Sequence, residues 1–279
     1  MKLALQLQAV NPKFWVAASQ EAEAAGFESV WVPEHLVLPV RMSGSPYTGH
    51  AEVPIPPSMP AYDVWVALAM VAASTSTIRL GTHVYNIGLR HPFVTARAVT
   101  TLDVFSSGRV EFGIGASWLK EEWDACGLDF GTRGRRVDET IEICRRLWTE
   151  EVVEHHGEFF DFQPVMFEPK PVQQPIPIVV GGDSPAAMRR AATLGDGWIP
   201  MNHPLDELRP AVDRVNAMRA DAGRPGTTEV TIGGSVDSVD DVARYEDAGA
   251  DRVFCRPFAT SREAIDGIRR FGDEVIAKL

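Results

Sequence analysis

"PIVVGGDSPAAMRRAATLGDGWIP", residues Pro177 to Pro200, holds a whole structural unit. An apolar run leads into a tight turn at Gly181 and Gly182. A helical pattern follows, with Ser184 in reach of its N-cap and Pro185 in its first turn. A second apolar run starts near Gly197. Two strands joined by a helix lie parallel in one sheet, through a right-handed crossover. The turn itself has two readings. It is an ordinary capped loop, or it is an anion cradle in which backbone amides and the helix dipole face a phosphate. Asp183 fits the second reading only if its carboxylate turns away, to the helix cap or to Arg189 or Arg190.

Outward from this unit the alternation repeats. Strands are expected at Lys2–Leu7, Ser29–His35, Ile78–Asn86, Arg109–Ser117, Pro177–Val180, Gly197–Pro200, Glu229–Gly234 and Asp251–Pro257, with helical patterns between them. Gly26 sits where the first helix should stop. Eight such units in 279 residues predict a closed (β/α)8 TIM barrel, an α/β fold, as one domain over residues 1–279. A doubly wound open sheet is the alternative. Two segments depart from the repeat. Leu36–Pro60 is a long proline-rich loop at the end of the second strand, on the face where such barrels carry their sites. Val152–Pro171 is expected to form a hairpin with its turn at Gly157.

The formal net charge of −11 argues against nucleic acid as a partner. Cys126, Cys144 and Cys255 are scattered, which predicts neither a disulfide framework nor a zinc site and favours a reducing cytoplasm. The longest apolar run, Val64–Ala73, is about half a membrane span and reads as a core helix. No membrane partner is expected. A small-molecule substrate and a homodimer or higher homo-oligomer are expected.

Polar residues gather at the strand ends. Glu34 and His35 close the second strand; neighbours on a strand face opposite ways, so at most one enters the mouth unless the backbone bulges. His83, Asn86, Arg90 and His91 close the third. "GIGASW" (Gly113–Trp118) nearly spells a dinucleotide fingerprint but has Trp118 where the third glycine belongs. It reads as a strand that lets a flat ring approach, or as a barrel-core strand with small residues. Arg133, Arg135 and Arg136 read as a solvated face that Asp138, Glu139 and Glu142 could neutralise, with an anion site as the minority alternative. His155 and His156 should diverge, and no metal site is expected.

Three segments together resemble the luciferase-like monooxygenase superfamily: "LGTHVYNIGLRHP", the run from "LDVFSSGR" to "EICRRLW", and the run from "GEFFDFQP" to "GDGWIP". They are most similar to its branch that uses the deazaflavin coenzyme F420. The resemblance implies a barrel with the cofactor at the strand C-termini. It implies that Gly181, Gly182, Asp183 and Ser184 hold the cofactor phosphate. Thr82, His83 and Val84 would lie behind the ring, with a cis bond at His83–Val84, and Gly115 and Ala116 would face another part of the ring. Trp118 and Asn86 would meet substrate. His35, or failing it Glu34, would exchange a proton while hydride passes between substrate and the deazaflavin. The alternatives are an FMN-dependent monooxygenase, a flavin- or deazaflavin-binding protein without chemistry, and a sugar-phosphate barrel enzyme. A further acidic tail on F420 would call on Arg41, Arg90 or Lys120.

Overall fold

The computed structural model describes residues 1–45, 52–201 and 203–279. Residues 46–51 of the proline-rich loop, and position 202, lie outside the described residues. The strands are β1 Lys2–Gln6, β2 Ser29–Val32, β3 Arg79–Thr82, β4 Tyr85–Asn86, β5 Val110–Gly115, β6 Val152–His156, β7 Asp161–Met166, β8 Ile178–Gly181, β9 Gly197–Ile199, β10 Glu229–Gly233 and β11 Arg252–Cys255. The helices are α1 Trp15–Ala24, α2 Val64–Ala72, α3 Pro92–Phe105, α4 Lys120–Ala125, α5 Arg133–Thr149, α6 Pro185–Thr193, α7 Leu205–Asp221, α8 Val239–Asp247 and α9 Ala264–Glu274.

Eight strands pair in parallel in the order β3, β2, β1, β11, β10, β9, β8, β5, and β3 pairs with β5 to close the ring. The result is a TIM barrel, not an open sheet. β6 and β7 form the antiparallel hairpin expected before β8. Its turn at Gly157 is closed by the Gly157 amide on the Phe160 carbonyl at 2.9 Å. No helix among the described residues is long and apolar enough to cross a membrane.

The lumen is filled by Ala4, Trp31, Val179, Ile199 and Phe254, all buried. Trp31 sets its width. A β-carbon on Gly81 would stand 2.1 Å from the Trp31 ring, and one on Gly113 would stand 1.8 Å from the Thr82 carbonyl oxygen. Glycine at these two positions is therefore a packing requirement. Below Trp31, the bottom of the barrel is closed by Arg252. Its guanidinium is fully buried and meets Glu28 at 2.8 Å, Glu229 at 2.6 Å and Glu111 at 3.5 Å. Those carboxylates hold it above the usual arginine range, against its burial.

Two of the expected strands are interrupted at the mouth. The segment Ile78–Asn86 is divided into β3 and β4, and the His83–Val84 peptide bond between them is cis, as the resemblance implies. The next stops at Gly115, and Ser117 has a positive φ of 64°. Both breaks lie at the C-terminal mouth, where they release side chains from the strict alternation of a strand.

Candidate active site

A cavity of about 840 Å³ occupies that mouth. Its lining includes Glu34, His35, His83, Val84, Asn86, Gly115, Ala116, Trp118, and the turn from Gly181 to Ser184. Twelve sequence-predicted residues are thus brought together. Thr82 is not among them: its hydroxyl donates to the Gly113 carbonyl at 2.6 Å, inside the wall between β3 and β5.

The expectation that only one of Glu34 and His35 enters the mouth is corrected. β2 ends at Val32, so alternation no longer governs residues 33–35, and both side chains line the cavity. Their duties differ. Glu34 is buried, accepts the Asn86 amide at 2.7 Å, and pairs with Arg90. Burial pushes its carboxyl above the ordinary range, against the pull of Arg90 and of that amide. Arg90 lies 4.5 Å from the Tyr85 ring centroid. It is therefore committed to Glu34, and Lys120 pairs with Asp124.

His35 meets Glu122 through Nδ1 at 3.1 Å. Glu122 is fully buried and accepts three further donors: the amides of Leu36 at 2.6 Å and Val37 at 3.3 Å, and the Asn86 side chain at 3.4 Å. A carboxyl surrounded by donors acts as acceptor only, so Nδ1 of His35 carries the hydrogen and Nε2 is left for a ligand. The ring stands edge-on to Trp118, with centroids 6.0 Å apart. Sequence reading missed Glu122. One signal was available: Leu119, Glu122 and Trp123 follow i, i+3, i+4 spacing, and all three are completely buried.

His83 is of another kind. Gln6 donates to its Nδ1 at 2.9 Å, and the ring lies 4.5 Å from that of Phe254. Burial lowers its pKa to about 4, so the ring is neutral near pH 7.

At the far end, Gly182 has a φ of +118°, a conformation that favours glycine. Its own amide donates to Ile199 at 3.0 Å and is not available to a ligand. Ser184 caps α6 through the Ala187 amide at 3.1 Å. Asp183 does turn away, but not toward Arg189 or Arg190. It accepts the Met201 amide at 3.0 Å and meets His203 at 3.0 Å. Arg190 instead pairs with Asp138. The expected neutralisation of the three arginines is also corrected. Arg135 pairs with Glu158 at 2.7 Å, and Arg136 donates to the Gly88 carbonyl at 2.8 Å. Arg133 lines the cavity, lies 3.9 Å from the Phe130 ring centroid, and has no carboxylate partner among the described residues. Burial and the neighbouring Arg190 charge lower its pKa, so an anion there would relieve both effects.

The model of the luciferase-like monooxygenase family matches residues 3–271. The chain belongs to that family. A Mycobacterium tuberculosis protein is 34% identical over 278 residues, covering 95% of this chain and 96% of the relative. The F420-dependent glucose-6-phosphate dehydrogenase of Amycolatopsis mediterranei is 32% identical over 211 residues, 72% of this chain and 59% of the relative. The coenzyme F420 dependent tetrahydromethanopterin reductase from Methanopyrus kandleri shares the fold, with a TM-score of 0.79 at 18% identity and 99% coverage of both chains.

As a luciferase-like monooxygenase family member, the chain is an oxidoreductase. Among the described residues, no group of three or more His, Cys, Asp or Glu is placed to hold a metal ion. His155 and His156 turn to different carboxylates, Glu139 at 3.0 Å and Asp161 at 2.6 Å.

Proposed function

We propose that this protein is an F420-dependent oxidoreductase acting on a small organic substrate, with His35 as the group that exchanges a proton with it. One observation carries the proposal: a histidine oriented by a buried carboxylate lines the same cavity as a glycine turn and an unpaired arginine. The F420 dependence named in the Amycolatopsis relative supports the choice of cofactor.

The residues fit a phosphate-bearing ring cofactor. The cavity volume of about 840 Å³ is in the range of cofactor sites. The amides of Ser184 and Ala186 stand at the start of α6, where an anion meets the helix dipole, and Arg133 adds a full charge. Val84, Gly115 and Ala116 form a narrow apolar wall. A β-carbon on Gly115 would stand 2.7 Å from Val84, and one on Gly181 would stand 2.9 Å from it. Both positions hold back side chains where a flat ring needs room. Bound there, F420 would supply a carbon that accepts or gives hydride.

The chain's own part is positional and protonic. Glu122 fixes the His35 tautomer, which presents the Nε2 lone pair to a hydroxyl proton. Neutral His83, braced by Gln6, offers a hydrogen without adding charge. Glu34 and Arg90 form a rigid floor rather than a proton relay, because each is held by the other.

Titrating the protein with F420 and with FMN, followed by absorbance, tests the proposal. F420 should bind, and His35→Ala should preserve that binding while depressing turnover. Tight FMN binding without F420 binding overturns the cofactor choice. Binding of neither overturns the redox reading.

A further inference from the structure

A second, smaller cavity opens beside His35, away from the glycine turn. Its volume is about 150 Å³. It shares Gln8, Pro33, Glu34, His35 and Met59 with the main cavity, and its own walls are Val10, Pro12, Trp15, Pro60, Ala61 and Tyr62. Trp15 and Tyr62 meet edge to face at 5.5 Å. We infer that this side pocket is the substrate subsite, and that it takes a small uncharged alcohol with an apolar body about the size of a six-membered ring. The inference rests on the function proposed above.

Size comes first. An apolar cavity of about 150 Å³ admits a benzene-sized molecule. Chemistry comes second. The Trp15 indole N–H already donates to the carbonyls of Leu7 at 2.9 Å and Val10 at 2.8 Å, so the ring offers only carbon to the pocket. Both Glu34 oxygens are occupied, one by Arg90 and one by the Asn86 amide. Gln8 lies at the exposed rim. Beside the Tyr62 hydroxyl, this leaves His35 Nε2 as the unengaged side-chain polar atom among the inner lining residues of the chamber. With its hydrogen on Nδ1, the ring accepts at Nε2, and the matching ligand group is a hydroxyl.

Charge comes third. No lysine or arginine lines the pocket among the described residues. A phosphorylated sugar, the substrate class named in the Amycolatopsis relative, would bring an anion to walls that cannot neutralise it.

The test uses cyclohexanol as probe, with saturation-transfer NMR on the protein without and with F420. Glucose 6-phosphate is the charged control. Cyclohexanol should bind, and glucose 6-phosphate should not compete with it. Ala61→Leu, which adds carbon to a residue of the side pocket alone, should weaken cyclohexanol on the order of tenfold and leave F420 affinity unchanged. Tyr62→Ala should admit 4-tert-butylcyclohexanol, which the native pocket excludes. Cyclohexanol binding indifferent to both variants, or displaced by glucose 6-phosphate, overturns the inference. Cyclohexanol binding that responds to both variants in a protein that ignores F420 upholds the subsite and removes the proposed function. F420 binding without cyclohexanol binding does the reverse.

Discussion

Replacing Arg90 by Met would test whether the floor of the site is an ion pair or two independent groups. Met keeps the stem that lies against Tyr85 and removes the guanidinium. Glu34, with its side chain fully buried, would then keep only the Asn86 amide. It has two ways out. Remaining ionised without its partner costs about 3–5 kcal/mol. Taking up a proton near pH 7 costs about 1.36 kcal/mol for each unit above an unfolded value near 4.3, or roughly 3.7 kcal/mol. The cheaper route caps the loss at about 3–4 kcal/mol. The second route also gives the loss a sign in pH. Burial already raises the Glu34 carboxyl, and losing Arg90 removes the largest opposing pull, with Glu122 nearby pushing the same way. A raised folded-state value gives stability that is present below the unfolded value and lost as pH rises through the folded one. Urea unfolding at roughly pH 5.5 and pH 7.5 should therefore show a smaller loss at the lower pH, by about 1–2 kcal/mol. The double variant Glu34→Gln, Arg90→Met should remove that dependence. An equal loss at both pH values in the single variant would refute the reasoning.

Glu122→Gln keeps the shape of the residue but turns its amide nitrogen toward His35, because the other atom must still accept Leu36 and Val37. The His35 hydrogen should then move to Nε2, visible in the ring ¹⁵N shifts, and turnover should fall about 10²–10⁴-fold at unchanged F420 affinity. An unaltered ring spectrum would remove Glu122 as the orienting group. Arg133→Ala should weaken F420 about 10–100-fold, from the loss of a charge-assisted contact of about 1.5–3 kcal/mol. Arg135→Ala, whose side chain faces Glu158 on the surface, should leave F420 affinity unchanged, and equal effects from the two would contradict the assignment. Glu23 has its pKa lowered to about 2: burial works against it, but the amides of Thr77, Ile78 and Ser76 outweigh that. A lowered folded-state value gives stability that is present above the ordinary 4.5 and lost as pH falls toward 2. Glu23→Gln should flatten that acid limb and cost about 1 kcal/mol at neutral pH, the group being partly exposed, as read by thermal unfolding across pH.

What could be read from the sequence divides along a physical line. The strand–helix alternation, the cap at Ser184 and the stop at Gly26 are local choices, and local composition reports them. The glycine turn was legible as a turn for the same reason. Partner choice was not. Arg190 lies seven residues from Asp183 in sequence, yet it pairs with Asp138 from α5, because α5 and α6 follow the paired strands β5 and β8. Glu34 and His35 looked mutually exclusive because the alternation rule was extended past the end of β2. Glu122 stayed hidden because its target lies 87 residues away, and a glutamate among Glu121, Asp124 and a lysine reads as surface charge.

The local pairings also explain how a chain with a formal net charge of −11 can hold an anionic cofactor. At the mouth the carboxylates are answered in place: Glu34 by Arg90, Glu122 by His35, and Asp183 by His203 and the Met201 amide. Only the Glu34–Arg90 pair sets a full charge against a full charge; Glu122 and Asp183 are stabilised by the hydrogen bonds they accept. Arg190 is cancelled in turn by Asp138. Arg133 is not, and it lies beside the start of α6, where the helix dipole points the same way. At that end of the cavity the guanidinium and the adjacent amides supply positive potential, while distant acidic surface charge is screened by salt over about 8–10 Å. The proton exchange proposed at His35 lies beside the side pocket, which no lysine or arginine lines among the described residues. On the two proposals above, one end would grip an anion and the other admit a neutral alcohol. On this arrangement, raising the ionic strength should weaken F420 and leave cyclohexanol unaffected.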